Sequence, residues 1–369
     1  MVDFGSEIRT RRAAFALSVE TIAKMARIAE SRLEAIEAGE PPSTREVAAI
    51  AEALASDPAR LAKGGEEDPR WSVARFRSGN GATKLDGIDL RLLAKGAEAG
   101  RILASLKKLL GEKASKIPDL RHICATSPSM EPWRHGYMLG EKARLALSSD
   151  KAPEEAPIPS VQALLESLGV HVAAVDFLDL SIEAASIYEL DAAPVVLVNR
   201  RTPRFDYLPR RALLAHELCH ILHDGGKRDL TTVTKEADNS PIEQRANGFA
   251  PSFLAPAQWV DLTKTKKDSP ESIVQCLAET WGLSFEGAAW HAKNINLLDP
   301  KKAEQLANIH KRVRSSAFEE DIPRTPPEQF DIEQTPGPLA SGLLAEIATI
   351  ACAEGLISRA RAAEIMSLR

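Results

Sequence analysis

The chain has 369 residues, of which 44% are hydrophobic and 27% charged, with a formal net charge of −5. That length suits two or three domains, each with its own core, and the composition is that of an ordinary soluble globular protein. The charge excludes a global basic footprint for nucleic acid, no run of apolar residues is long enough to span a membrane, and Cys124, Cys219, Cys276 and Cys352 lie too scattered for a disulfide framework. The first residues lack the basic and apolar regions of a signal peptide, so the expected setting is a reducing cytoplasm without membrane association.

Residues 4–62 read as a series of short helices. Ile8, Ala13 and Leu17 mark the first apolar stripe. Ser18 is placed to cap a helix over 19–26, and a third helix over 29–38 stops at Gly39. After Pro41-Pro42-Ser43, Val47, Ile50, Ala51 and Leu54 stripe a fourth. Thr21-Ile22-Ala23 and the run from Ile28 through Ile36-Glu37-Ala38-Gly39 resemble the helix-turn-helix of the Cro/repressor (XRE-like) family. The resemblance implies a recognition helix over 30–38, with Arg32, Arg27 and Ser31 as candidate DNA contacts, supported by Arg9, Arg11, Arg12 and Arg45. Arg27 stands where the family usually has glycine, and Glu30 where it often carries a base-reading glutamine. Glu34 replaces a small polar residue. Residues 1–62 hold 8 Lys and Arg against 10 Asp and Glu, a poor balance for phosphate contact. DNA and protein both stay open as partners of this domain, because fold alone does not assign function.

Residues 65–155 read as a helical connector between the first domain (1–64) and the next (156–300). Residues 71–81 are polar and mixed, and read as a loop. Leu92, Leu93, Ala97, Ile102, Leu103 and Leu106 recur at helical spacing within 85–115. A further helix is expected over 133–146, where His135 reads as isolated and structural. Residues 151–159, rich in proline and charge, form a linker. From Ser160 a short helix over 161–168 is followed by three strand patterns, over 170–177, 184–189 and 194–199.

Leu213 to His223 carries His216-Glu217-Leu218-Cys219-His220. On a helix, positions four apart share a face, so both imidazoles can reach one point with Glu217 beside it. Two neutral imidazoles and an adjacent carboxylate suit one tetrahedral zinc ion per chain, whose water needs a general base. Leu213, Leu214, Leu218, Ile221 and Leu222 would bury the helix, and Gly225-Gly226 would end it. A catalytic zinc needs a third protein ligand. Glu243 opens the next helix after a polar loop over 227–239, but Ser240-x-x-Glu243 is also a capping box. Asp238, Glu236, His223 and Asp224 are rival ligands.

His216-Glu217-x-x-His220-x-x-His223, then Glu243-x-x-Ala246-Asn247-x-Phe249-Ala250 and Leu254-x-Pro256, resemble the ImmA/IrrE family of metallopeptidases. The similarity extends over about residues 160–300. It implies a gluzincin-like site: His216, His220 and Glu243 on zinc, and Glu217 as base. It also implies a substrate, an XRE-type transcriptional repressor whose loss releases stress, phage or mobile-element genes. Cys219 stands where the family commonly has glycine, and is expected to pack as a small hydrophobe. Pro251 replaces a usual alanine and would kink the second helix. Tyr207, His223, Arg210 and Arg211 are the candidate donors to the oxyanion.

Beyond Pro300 a polar helix over 301–316 leads to a proline-rich linker, which closes the segment 301–338. Residues 339–369 read as a helical hairpin, too short to stand alone and expected to pack on the peptidase domain or on a second subunit in a homodimer. The expected architecture is α+β and mostly helical: an all-α helix-turn-helix domain, a helical connector, a small-sheet zincin-like peptidase domain and a C-terminal hairpin. The expected function is a zinc endopeptidase acting on a protein regulator. The alternative is a DNA-binding regulator, or a toxin–antitoxin-like interaction protein, whose zinc domain is a sensor.

Overall fold

The structure, a computed structural model, describes residues 4–14, 17–54, 58, 61, 73–75, 87–113, 117, 130–147, 156–188, 191–202, 207–224, 229–234, 240–260, 269–309, 311, 313, 318 and 338–368. Four helices open the chain: α1 (Phe4–Ala14), α2 (Val19–Ala26), α3 (Glu30–Glu37) and α4 (Thr44–Ala53). Ile8, Ile22, Leu33, Ile36 and Ile50 are fully buried between them. The Ser18 hydroxyl accepts the Thr21 amide at 3.1 Å, which starts α2 as expected. Arg27 ends α2 with φ 54°, in the left-handed region where a glycine would sit at lower cost. Ser43 and Glu46 complete a reciprocal capping box at the start of α4.

The sheet has five strands: β1 (Val73–Arg75), β2 (His171–Val175), β3 (Ile182–Ile187), β4 (Val195–Asn199) and β5 (Asp229–Thr234), in the order β1-β5-β3-β4-β2. Strand β2 runs parallel to β4, β3 runs antiparallel to both β4 and β5, and β1 lies parallel to β5. The three strands expected from sequence are present. Strands β1 and β5 correct the reading of 71–81 and 227–239 as loops. The β-branched run Thr231-Thr232-Val233-Thr234 is the signal for β5, masked by the acidic and polar residues that follow it.

Alternation along β4 sets the layers. Val196 and Val198 join the core that holds the His-Glu helix, while Val195 and Leu197 join the core shared with the helix-turn-helix. On this second face lies α5 (Gly87–Leu109), where Gly96 packs against Ile187 and Leu197. The first face carries α7 (Val161–Ser167), α8 (Tyr207–Cys219) and α9 (Pro241–Leu254). Helix α6 (Pro132–Leu147), expected as part of a connector, packs along α9 instead. Gly136 and Gly140 allow that approach: a Cβ at 136 would strike the Arg245 carbonyl, and one at 140 would strike Phe249 and Ser252.

Helices α10 (Pro270–Trp281) and α11 (Phe285–Asn294) close the first face. The polar helix that follows, α12 (Pro300–Ala307), stops well short of the 316 expected. The linker over 323–337 lies outside the described residues. The terminal pair, α13 (Leu343–Ala353) and α14 (Arg359–Met366), buries Leu344, Ile347, Ala348 and Ile365 against Ala99, Leu103 and Leu106 of α5. Its apolar stripe is therefore covered within the chain. Among the described residues no helix is long and apolar enough to cross a membrane.

Candidate metal centre

Helix α8 begins at Tyr207, four residues before Arg211, with Pro209 in the first turn where its missing N–H costs nothing. Leu213, Leu214 and Leu218 anchor it against the sheet. After Cys219 the backbone widens into a π-helical turn, His220–Asp224. Residues 225–228, with the expected glycine stop, lie outside the described residues.

His216 and His220 point their Nε2 atoms at one another, 3.0 Å apart. Glu243 reaches across from the first turn of α9, with Oε2 3.1 Å from His216 Nε2 and Oε1 3.7 Å from His220 Nε2. Ligand atoms of these three residues lie within 4.8 Å of one another, and all three side chains are buried. The capping-box alternative for Glu243 is half realised. The Glu243 amide donates to the Ser240 hydroxyl at 3.2 Å, but its carboxylate goes to the histidines. The opposing burial is outweighed by the two imidazoles, which hold the Glu243 carboxyl down at about 2.

Around this cluster the chain supplies two supports. His220 Nδ1 lies 3.1 Å from Asp224 Oδ2, and Arg245 donates to both Asp224 oxygens at 2.6 and 2.7 Å. Burial pulls the His220 ring down, yet its bonds to Asp224 and Glu243 carry it up to about 10 in the absence of a cation. Asp224 is thus no ligand: it holds the far nitrogen of His220, so that Nε2 faces the cluster. On the other side, Ser186 of β3 donates to Glu217 Oε2. Glu217 is fully buried, and its Oε1 has no hydrogen-bond partner among the described residues. Burial raises the Glu217 carboxyl above the usual carboxylate range, against the pull of His220, His216 and Ser186.

The donor set fits a divalent cation with nitrogen and oxygen preference. Three side chains converge, from α8, the π-helical turn that follows it and α9, and Glu217 beside them has an orphaned carboxylate oxygen. Cys219 is fully buried in the core and its thiol is pushed up by burial, so it packs as a small hydrophobe. Helix α9 continues through Pro251 to Leu254, with Glu243 two turns upstream.

The remaining expected residues divide. Arg211 is not a donor to the reaction. It is fully buried, bonded to the carbonyls of Ile158 (2.7 Å), Pro159 and Gly282 (each 3.2 Å), and lies over the Phe318 ring. Its fork ties the segment before α7 to the end of α10, a scaffold role that consumes its donors. His223 is half-buried in the π-helical turn, its ring edge-on to His135 of α6 at 5.3 Å between centroids. His135 is therefore not isolated, as the sequence had suggested. The Tyr207 side chain lies outside the described residues, as do Glu236 and Asp238. Sequence reasoning missed Ser186 and Arg245. Arg245 follows Glu243 by two positions and carried a charge signal; Ser186 carried none.

In the N-terminal domain, Arg32 is half-exposed and paired within its own domain. It pairs with Glu46 at 2.8 Å and Glu40 at 2.7 Å, and donates to the Pro41 carbonyl at 3.0 Å. Arg12 makes a two-point pair with Glu37, and Arg11 pairs with Glu7. The exposed positions on the first turns of α3 are Glu30, Ser31 and Glu34. Arg32, expected to reach DNA, is thus committed to its own domain. Arg27 lies in the turn before α3.

Residues 165–291 match the IrrE N-terminal-like domain of peptidase M78, and residues 3–63 match a helix-turn-helix domain. No curated protein and no solved structure shows a significant match. The first match encloses the helices that carry His216, His220 and Glu243 and strands β2 to β5, and the second encloses α1 to α4. The chain thus joins a region similar to the IrrE N-terminal-like domain of peptidase M78 to an N-terminal region similar to a helix-turn-helix domain.

Proposed function

We propose that this protein is a zinc-dependent endopeptidase that cuts a protein regulator, most simply an XRE-type repressor, and so controls the genes that repressor silences. The observation that carries this reading is the convergence of His216, His220 and Glu243 with the unpartnered oxygen of Glu217 beside them. A zinc ion held by those three ligands would polarise a peptide carbonyl and acidify a water. The chain does the rest. Asp224, clamped by Arg245, keeps the His220 proton on Nδ1 and its Nε2 lone pair inward. Ser186 occupies one oxygen of Glu217, which leaves Oε1 to take the proton from water and return it to the departing amine. Burial favours the protonated form of Glu217, so the carboxylate is a stronger base than one in solvent.

The test pairs metal analysis with cleavage of an XRE-type repressor encoded next to the protein. Wild type and Glu217→Gln are expected to hold equal zinc, with cleavage slowed about 10³-fold or more in the variant. His216→Ala is expected to lose the metal. Full zinc stoichiometry in His216→Ala, or undiminished cleavage by Glu217→Gln, would sink the assignment.

A further inference from the structure

A groove of about 500 Å³ lies where α2 and α4 meet α5. Its volume falls in the roughly 300–1,000 Å³ range of small-molecule sites. Arg27, Arg45 and Arg91 line it, one each from the turn after α2, the first turn of α4 and the N-terminal third of α5. Met25, Ile28 and Ala49 supply an apolar wall. Two carboxylates also line it, but Glu46 is spent on Arg32 at 2.8 Å, so only Glu52 stands against the three cations.

Among the described residues no carboxylate pairs with Arg27, Arg45 or Arg91, whereas Arg11, Arg12 and Arg32 of the same domain are all paired. Position 27 makes the contrast sharper. Closure of α2 needs only the residue's backbone, whose N–H reaches the Ala23 and Lys24 carbonyls, and the φ of 54° favours glycine. The arginine side chain contributes nothing to that closure and lies in the groove.

We propose that this groove binds a small organic anion, a phosphate or carboxylate with an apolar body, its charged end among Arg27, Arg45 and Arg91 and its body over Met25, Ile28 and Ala49. Guanidinium forks suit both head groups. The bound anion bridges three elements distant in sequence and ties the helix-turn-helix to α5, the helix on which β3 and β4 rest. This site is independent of the metal centre and of its chemistry.

Titration calorimetry on the full chain tests it, with phenyl phosphate, hexanoate and inorganic phosphate as probes. Saturable binding of phenyl phosphate or hexanoate at one site per chain is expected, tighter than inorganic phosphate, and the tighter of the two names the head group. Arg27→Gly, Arg45→Gln and Arg91→Gln should each weaken binding about tenfold, while Arg9→Gln at an exposed position of α1 leaves it unchanged. Arg27→Gly relieves the strained backbone, so at least that variant folds, and circular dichroism checks the others. Three outcomes overturn the proposal: no binding of any probe at millimolar concentration, affinity unchanged in all three variants, or loss of duplex-DNA binding in these variants with no small anion bound by wild type.

Discussion

The candidate metal centre and helix α3 both pair an arginine with carboxylates, to opposite effect. Arg245 holds Asp224, and Asp224 turns His220 toward the point where the ligand atoms converge. Arg32 is held by Glu40 and Glu46, and the pairing offsets the charge of the one cation of α3 at the surface. The same contrast runs through two Ser-x-x-Glu segments. Ser43 and Glu46 close a complete capping box, while in Ser240 and Glu243 the serine caps and the glutamate is drawn away to the histidines. Residue types tell which chemistry is possible; the neighbours decide whether the residue is available for it.

The two regions also rest on separate close contacts, and breaking each in turn shows how far they depend on one another. Gly136→Ala forces α6 from α9 at the Arg245 carbonyl and should cost roughly 2–3 kcal/mol in chemical denaturation, with metal affinity falling as Glu243 is displaced. Gly5→Ala drives a methyl into the Ile36 and Glu37 carbonyls of the helix-turn-helix. It should destabilise the helix-turn-helix by a similar amount and leave metal binding intact. Loss of metal affinity in Gly5→Ala would show that the centre depends on the N-terminal domain.

Acid separates the regions as well, because residues 1–62 contain no histidine. His171 and His291 are fully buried, and burial holds both down at about 4. Between pH 6.5 and 4 the unfolded chain takes up protons at these rings that the folded chain refuses, so stability falls as pH falls, by at most about 3 kcal/mol per ring. His171→Gln keeps a donor for the Leu339 carbonyl, which now lies 2.8 Å from His171 Nε2. Melting curves over that window should flatten in this variant, and an unchanged pH slope would contradict the assignment.

Smaller effects are expected one layer out from the ligands. Asp224→Asn should lower metal affinity by about 10- to 100-fold, read by competition with a chelator, without abolishing it. Arg32→Ala should do least. Its melting temperature is expected to match wild type, since the pair is largely solvated, and duplex-DNA affinity should change by less than about threefold. A larger loss with a flatter salt dependence would mean that Arg32 leaves its glutamates to contact phosphate, and would restore the DNA reading of α3.

Much of this was legible in one dimension because the signals are local and periodic. Residues 216, 217 and 220 share a helix, so their spacing alone brings them to one face. The caps at Ser18, Ser43 and Ser240, the apolar run of β4 and the stripes of α4 and α13 are equally local. What spacing cannot carry is contact between segments far apart in the chain. The choice between cap and ligand at Glu243 depended on where α9 lies against α8. The oxygen that Ser186 holds on Glu217, the diversion of Arg211 to three carbonyls, and the neutralisation of Arg32 by Glu46 likewise exist only once strands and helices have packed. Strands β1 and β5 were missed for a related reason: a strand is completed by the hydrogen bonds of its neighbour, and a short polar segment carries little of that partner in its own residues.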